Sequence, residues 1–492
     1  MASVAVATPS PKKTPVVRHK SASPWRIARF GPYPPTNPPT NPLIPVLPSL
    51  ALAPSIPNPI YQASSSAEQN NPQRLPEKVV QHSLSFSLLE NGIPRDPREE
   101  ELPELQRLFP TLRNVSFQHP FLVLLVEKLP EHPWPTILAG LPLWLATTAE
   151  GRPPVNIGSV ARSNQRFNVN GKIEYYKTPN EATILEIFEL VNEKGAGVNR
   201  ITWDGCGFHA FGNQAPGQGW QNRLPSRINN FFISYTWTKS TMEEHALRMK
   251  VPTMDATDDT RYPRDQLRPG IMIAGFQNNM KDGLGTTAGV CVESPTSSKK
   301  FITVAAHGFT ASVGDAVFHP RVALLNGKPD PRYQIATIER KFGDTDIALA
   351  ELEPDIRYSA ETFTDPQPDQ PQAQPFRSLK NPADLKVFDM VYMNTPVNGL
   401  CQGQHIATDW ALGFEATDEA PQERKTYCDI SQFSYWGNGS DIFFEGCCGG
   451  VIWNDDFDVL GQFRFQEKDG ARFAFSPSFK ILIDLGYKLS SI

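Results

Sequence analysis

The residues that could do chemistry lie at three separate points of the 492-residue chain. Cys447 and Cys448 sit between glycines in the stretch 446–450, and glycines permit a tight turn that aims backbone N–H groups at one point. Upstream, His307 ends one apolar run and Asp346 begins another. A thiol is mostly protonated at neutral pH, so a nucleophilic cysteine needs an imidazole to take its proton or hold it as a thiolate. A carboxylate would orient that imidazole.

The order and spacing of these motifs resemble those of the trypsin-like peptidases of the chymotrypsin fold. His307 and Asp346 are 39 residues apart, and Asp346 and Cys448 are 102 residues apart. The cysteine in place of the usual serine resembles the picornavirus-type cysteine proteases that share this fold. The resemblance covers residues 268–492, approximately. It implies a cysteine endopeptidase that acts through a thioester, with Cys448 as nucleophile, His307 as base and Asp346 orienting it. The N–H groups of Gly446 and Cys448 would form the oxyanion hole.

The fold that this resemblance implies is an all-β double six-stranded barrel of the chymotrypsin type. Six short strands are predicted between residues 271 and 352, and more strands, with a closing helix, between residues 385 and 485. A proline-rich patch falls where the family joins its two barrels. We therefore predict a first barrel in residues 266–352, a proline-rich linker in 353–382 and a second barrel in 383–492.

Departures from the family pattern bear on the redox setting, activation and specificity. Gly308 follows His307, at the position where secreted members of the family carry a disulfide-bonded cysteine. Six cysteines in the whole chain also make no dense disulfide framework. An intracellular, cytoplasmic location is therefore predicted. Cys447 stands where activatable members have an acid. The side chains expected to line the substrate pocket offer no carboxylate for Arg or Lys, so a neutral or apolar residue before the scissile bond is predicted. These side chains are Ile442, Phe463, Arg464 and Phe465.

Several alternatives stay open at the level of the sequence. In one alternative, Cys448 is an inert buried thiol and not a nucleophile. In another, Cys447 and Cys448 form a vicinal disulfide that acts as a redox switch. Asp344 competes with Asp346 as the orienting acid. The glycine-rich stretch 283–289 is interpreted as a hairpin loop, because it lacks the ending of a phosphate-binding loop. The alternative to the endopeptidase is a catalytically inactive trypsin-like scaffold that acts as an interaction or regulatory protein.

Residues 77–265 are predicted to form a mixed α/β domain of unknown function, and no family is recognised for them. The clearest signal is a helix that begins after Asn180, its N-cap, and ends at Gly195, followed by a strand over residues 198–203. Cys206 and His209 come next. Two such residues are too few for a zinc site, so a turn is favoured here over a functional site.

Residues 1–76 hold 17 of the chain's 47 prolines and seven Lys or Arg residues against one acid. We predict a disordered, proline-rich, basic tail that is a ligand for a proline-motif-binding partner. No signal-peptide core follows Met1, and no apolar run is long enough for a transmembrane segment. The net charge of −5 gives no reason to expect nucleic acid or an anionic membrane. No cofactor or metal is predicted, and the expected partner is a peptide or protein substrate.

Overall fold

A computed structural model describes the greater part of the chain after residue 79. The described residues all belong to one compact unit that spans Ser64–Ile492. The tail predicted for residues 1–76 lies outside them, as does Ile442. Among the helices of these residues, none is both long enough and apolar enough to cross a membrane. The described ranges are 80–82, 84–130, 135–147, 159–161, 163–214, 217–237, 267–275, 284–309, 313–319, 324–325, 328–361, 374–395, 399–415, 423–434, 446–466 and 473–490.

A small sheet comes first in the chain. Its region contains β1 (Val80–His82), β2 (Leu89–Glu90), β3 (Ile93–Pro94), α1 (Leu102–Leu108), β4 (Leu112–Gln118), β5 (Phe121–Val126), β6 (Pro135–Leu138) and β7 (Leu141–Ala146). The strand order is β1-β6-β7-β5-β4, and β2 and β3 form a separate hairpin. β5 is apolar and almost wholly buried, because α1 packs on one side of it through Leu105.

Helix α2 (Glu181–Glu193) forms where the sequence predicts it. Asn180 has extended backbone, and its side chain accepts a hydrogen bond of 2.9 Å from the N–H of Thr183. Gly195 follows with a φ of 73°, which glycine adopts without strain. The strands of this region are β8 (Ser159–Val160), β9 (Arg166–Phe167), β10 (Val198–Trp203), β11 (Gly207–Gly212), β12 (Arg227–Ile228) and β13 (Phe231–Trp237), with α3 (Trp220–Arg223) before β12. The apolar face of α2 packs in one core with side chains of β9–β13.

The next strands form the sheet that carries His307 and Asp346. They are β14 (Met272–Gly275), β15 (Leu284–Thr287), β16 (Cys291–Glu293), β17 (Lys300–Ala305), β18 (Ala316–Phe318), β19 (Leu324–Leu325), β20 (Lys328–Pro329), β21 (Gln334–Lys341) and β22 (Ile347–Leu352). The order is β15-β14-β18-β21-β22-β17-β16, and β19 and β20 pair with each other. β15 shows that the hairpin-loop interpretation of residues 283–289 was wrong. The stretch 284–287 pairs antiparallel with β14, and this pairing satisfies its backbone despite the glycine at 285.

The remaining elements form the region that carries residues 446–450, called here the cysteine loop. They are β23 (Met390–Thr395), β24 (Gly399–Glu415), β25 (Glu423–Ser434), β26 (Val451–Asn454), β27 (Val459–Gln462), β28 (Phe465–Gln466), β29 (Phe473–Pro477), α4 (Lys480–Asp484) and β30 (Lys488–Leu489). β30 returns to the preceding sheet and pairs with β16. The rest join β8–β13 in one sheet, whose main path is β27-β26-β23-β24-β10-β11-β13-β12-β9.

The large sheet crosses the boundary that the sequence placed near residue 265. β10 pairs antiparallel with β24, from Arg200 opposite Ala411 to Trp203 opposite Thr408. The all-β character predicted for the C-terminal part agrees with these sheets. The sheets extend beyond six strands each, however. Within the described ranges the first has eight strands, including β15 and β30, and the other has 13, because β8–β13 join β23–β29. The division into domains at the predicted boundaries stays a prediction.

Candidate active site

His307 and Asp346 meet because their strands are neighbours. β17 and β22 pair antiparallel, and the pairing ends with Ala305 opposite Ile347. Asp346 directly precedes Ile347 and His307 follows Ala305 by two residues, so the pairing brings the two side chains close together. The Nδ1–H of His307 donates to Asp346 Oδ2 at 2.7 Å, and the backbone N–H of His307 donates to Oδ1 at 2.8 Å. The carboxylate is 4% exposed and the imidazole 52% exposed. The carboxylate thus fixes the ring and leaves the other ring nitrogen available.

The loop at residues 446–450 is held by β15 of the other sheet. The Thr287 hydroxyl donates to Gly446 O at 2.6 Å, and the Thr287 N–H donates to Cys448 O at 2.8 Å. Gly449 has a φ of 89°, and a Cβ on it would lie 2.3 Å from Thr287 O. A side chain does not fit there, so the glycine permits the close approach of loop and strand.

The backbone N–H groups of Gly446 and Cys448 donate to no other described residue. By contrast, the N–H of Gly449 donates to Phe463 O at 2.9 Å and that of Gly450 donates to Cys447 O at 2.9 Å. Two unused donors beside a cysteine are what an oxyanion hole requires.

Cys448 lies between His307 and the main chain of Arg464. Its side chain is buried, and the thiol donates to Arg464 O at 3.1 Å. Burial raises the pKa of the Cys448 thiol, although the neighbouring His307 acts in the opposite direction. For His307, burial disfavours the charged ring, but hydrogen bonds to Asp346 and Cys448 outweigh it and raise the pKa to about 10. Both pKa values are shifted upward, so near neutral pH the His307 ring carries a proton and the Cys448 thiol is not ionised.

Cys447 points away from this group. Its sulfur lies 3.4 Å from Thr395 Oγ1, and its side chain is fully buried. Cys447 and Cys448 are both free thiols, so the structure contains no vicinal disulfide. The alternative acid, Asp344, lies in the preceding 3₁₀ turn Gly343–Thr345.

The residues predicted to line a substrate pocket are placed differently from one another. Phe463 is fully buried in the core beside Cys448. The Arg464 guanidinium is directed toward Asp346, with Nε 3.8 Å from Oδ2, and lies 5.7 Å from the Phe465 ring centre. Phe465 in turn stacks on Phe475 at 5.0 Å. A role of these residues in specificity stays a prediction.

Sequence reasoning missed two kinds of residue at this site. Thr287 was read as part of a loop, although it anchors the cysteine loop. Gln462 is fully buried and donates to the backbone oxygens of Asp346 and Val304. The available signal for Gln462 was a polar residue inside an otherwise apolar strand, since buried polar groups require partners.

A turn at residues 204–206 follows β10, as predicted, and His209 lies in the next strand, β11. Asp204 Oδ1 accepts the N–H groups of Cys206 at 2.9 Å and Gly207 at 2.8 Å, and Gly205 has a φ of 90°. His209 Nε2 lies 2.9 Å from Asp204 Oδ2, and His119 Nε2 lies 3.6 Å from the same oxygen. No three His, Cys, Asp or Glu side chains in the described part of the chain are arranged to hold a metal ion.

Comparisons with known proteins find similarity in solved structures alone. No family model matches the chain, and no curated protein matches it. Nocardiopsis protease is 12% identical with a TM-score of 0.30, over 46% of this chain and 100% of that chain. Cellulomonas bogoriensis chymotrypsin is 12% identical with a TM-score of 0.29, over the same shares. The MamO protease domain of Magnetospirillum magneticum is 12% identical with a TM-score of 0.26, over 44% of this chain and 95% of that chain. These neighbours are chymotrypsin-fold proteases, and likeness at this level does not identify an activity.

Proposed function

We propose that this protein is a cysteine endopeptidase that cleaves a peptide or protein substrate through a thioester, with Cys448 as nucleophile, His307 as base and Asp346 as the orienting acid. The observation that carries the proposal is the row of contacts from Asp346 through His307 to Cys448, which joins residues from two sheets. Chain order and spacing alone would not require these side chains to touch.

The first half of the proposed reaction forms the thioester. His307 removes the thiol proton of Cys448, and the sulfur attacks the carbonyl carbon of the scissile bond. The N–H groups of Gly446 and Cys448 receive the negative charge that develops on the carbonyl oxygen. The imidazolium then gives its proton to the leaving amine, and the C–N bond breaks. The raised pKa leaves the His307 ring protonated near neutral pH, so the ring must lose that proton before it acts as the base.

The second half releases the acid product. His307 takes a proton from water, and the hydroxide attacks the thioester carbon through a second oxyanion. The C–S bond breaks, and the sulfur takes the proton back from His307. Asp346 holds the ring in one tautomer throughout and stabilises the imidazolium. The bond from the thiol to Arg464 O must open before the first step, since the sulfur cannot attack while it donates there.

The experiment is cleavage of a diverse peptide library by the full chain. Cys448→Ala is expected to abolish cleavage, because it removes the nucleophile, and Asp346→Asn is expected to weaken cleavage by a smaller factor. Limiting iodoacetamide is expected to label Cys448 before the other cysteines, and His307→Ala is expected to slow that labelling. Peptide products and the labelled site are identified by mass spectrometry.

Cys291→Ala is the matched control, since Cys291 is a free, buried thiol that packs in a different hydrophobic cluster from Cys448. It should leave cleavage in place. Cleavage that survives in Cys448→Ala would assign the chemistry to another residue and overturn the proposal.

The alternative function is an inactive trypsin-like scaffold that binds partners. One observation favours it: the Cys448 thiol is buried and donates to a main-chain carbonyl, a state in which it does not react. The two functions differ in outcome. An inactive scaffold would cleave no peptide in the library and would show ordinary iodoacetamide reactivity at Cys448.

A further inference from the structure

The three residues at the end of β27 each contact a different part of the candidate site. The side-chain amide of Gln462 donates to Asp346 O at 2.9 Å. The N–H of Phe463 donates to Gly450 O at 2.8 Å, which fixes the end of the cysteine loop. The carbonyl of Arg464 accepts from Cys448. One short segment therefore touches both the acid and the nucleophile.

Asp346 has a backbone conformation that needs support. Its φ of 61° and ψ of 16° are left-handed, which is uncommon for a residue with a Cβ and persists only where the surroundings hold it. Its carbonyl oxygen accepts two hydrogen bonds. One comes from the N–H of Ala306 at 2.9 Å, within its own sheet, and the other from Gln462, across the two sheets.

The amide of Gln462 has one acceptable orientation. Nε2 uses its two hydrogens on Asp346 O at 2.9 Å and Val304 O at 3.3 Å. A flipped amide would set its own oxygen against these two carbonyl oxygens, so the orientation follows from its partners. Oε1 is buried without a hydrogen-bond partner. A fully buried amide with one unsatisfied acceptor lowers the stability of the fold. The hydrogen bond from Nε2 to Asp346 O opposes this loss.

We propose that Gln462 is a positioning residue for the reaction. It holds the main chain of Asp346 in the left-handed conformation from the opposite sheet, and through Asp346 it sets the orientation and basicity of His307. Its consequence for catalysis rests on the proposed function. Its consequence for the titration of His307 does not, because that property belongs to the folded protein with or without substrate.

The test is Gln462→Met, which keeps the side-chain length and removes both donors. The probe is the titration of His307 by NMR of histidine-labelled full-length protein, with the His307 signal assigned from the spectrum of His307→Gln. Loss of the bond to Asp346 is expected to lower the His307 pKa by about one unit, a tenfold change in protonation. Gln462→Leu, which also removes both donors and adds no charge, supplies a second variant should Gln462→Met fail to fold.

Gln404→Met is the matched control. Gln404 is also buried, its Nε2 also donates to two main-chain oxygens, of Gly140 and Phe388, and its Oε1 also has no partner. Both variants should lose thermal stability. Only Gln462→Met should move the His307 titration and the pH profile of cleavage.

The outcomes separate this proposal from the proposed function. An unchanged His307 pKa in a folded Gln462→Met or Gln462→Leu variant would overturn the positioning role, whether or not the protein cleaves peptides. The same pKa shift in Gln404→Met would also overturn it, because the effect would then be general destabilisation. A lowered pKa in Gln462→Met alone supports the role. If no library peptide is cleaved by the wild type, the peptidase proposal falls while this result stands.

Discussion

At the scale of single residues, the chemistry of the candidate site depends on the protonation of His307 and Cys448. Asp346 is buried and accepts two hydrogen bonds from His307, whereas His307 itself is half exposed. Its hydrogen bonds outweigh burial and raise its pKa to about 10. Burial also raises the pKa of the Cys448 thiol. Near neutral pH both His307 and Cys448 therefore carry a proton, and His307 must give up its proton before it can act as a base.

The raised pKa of His307 predicts how stability depends on pH. A histidine in the unfolded chain has a pKa of about 6.5. The folded value of about 10 means that the folded state holds its proton more tightly. The stabilisation is complete below about pH 6.5 and is lost as the pH rises through about 10.

Urea unfolding of the wild type and His307→Gln checks this dependence. Glutamine keeps a donor near Asp346 but cannot titrate. The difference in the free energy of unfolding between the two proteins should shrink between pH 6 and pH 10.5. A difference that stays constant over this range would contradict the raised pKa.

At the scale of elements, the cysteine loop depends on a strand of the opposite sheet. β15 holds the loop through Thr287, whose hydroxyl and N–H bond to two loop carbonyls, and through the close approach of Gly449. These bonds turn the loop carbonyls outward to the strand. The N–H groups of Gly446 and Cys448, which form the proposed oxyanion hole, donate to none of the described residues.

Thr287→Val should therefore impair the proposed catalysis. Valine has the same shape, so the change removes one hydrogen bond to Gly446 O and little packing. A hydrogen bond of this kind contributes about 1 kcal/mol. If that whole amount stabilises the loop in the transition state, its loss lowers kcat/KM roughly fivefold. Steady-state cleavage of a library-selected peptide measures it.

Cys447→Ala is the comparison within the same loop. Its side chain points away, toward Thr395, so this variant should retain most of the activity and lose about 1–2 kcal/mol of stability by forming a small cavity. Equal losses of activity in the two variants would show that the loop responds to any change and that the Thr287 bond has no special role.

At the scale of the whole molecule, the sheet that carries the cysteine loop continues into the strands of residues 159–237. The seam is the pairing of β10 with β24. Asp409, which is 2% exposed, bonds there to Arg200 at 3.0 Å and to the Thr202 hydroxyl. A buried charge of this kind is tolerated only with its partners in place.

Removing the Asp409 carboxylate should weaken both halves together. Asp409→Ala leaves Arg200 buried without its partner and is expected to lower the free energy of unfolding by about 3–5 kcal/mol. Because the sheet is continuous, unfolding should remain a single transition that shifts as a whole. Glu351→Ala, at the more exposed Lys299–Glu351 pair, should cost less than about 1 kcal/mol.

Circular dichroism and tryptophan fluorescence during urea unfolding distinguish the possibilities. Two transitions, of which Asp409→Ala shifts only one, would show that the two parts unfold independently in spite of the shared sheet.

The sequence by itself determined the local parts of this protein. Helix α2 and its N-cap follow from Asn180 and the spacing of apolar residues, and the turn at Asp204 follows from its glycines, because these structures form from neighbouring residues. The candidate residues His307, Asp346 and Cys448 could also be named, since each sits at a recognisable end of an apolar run or in a glycine loop.

Tertiary structure decided everything that depends on distant pairing. Whether β15 is a strand depends on β14, and the union of β10 with β24 joins residues about 200 positions apart, which no local pattern encodes. The roles of Thr287 and Gln462 were invisible for the same reason. Their side chains have meaning only through the carbonyl groups that the opposite sheet places beside them, and the neutral state of Cys448 follows from burial that the fold alone creates.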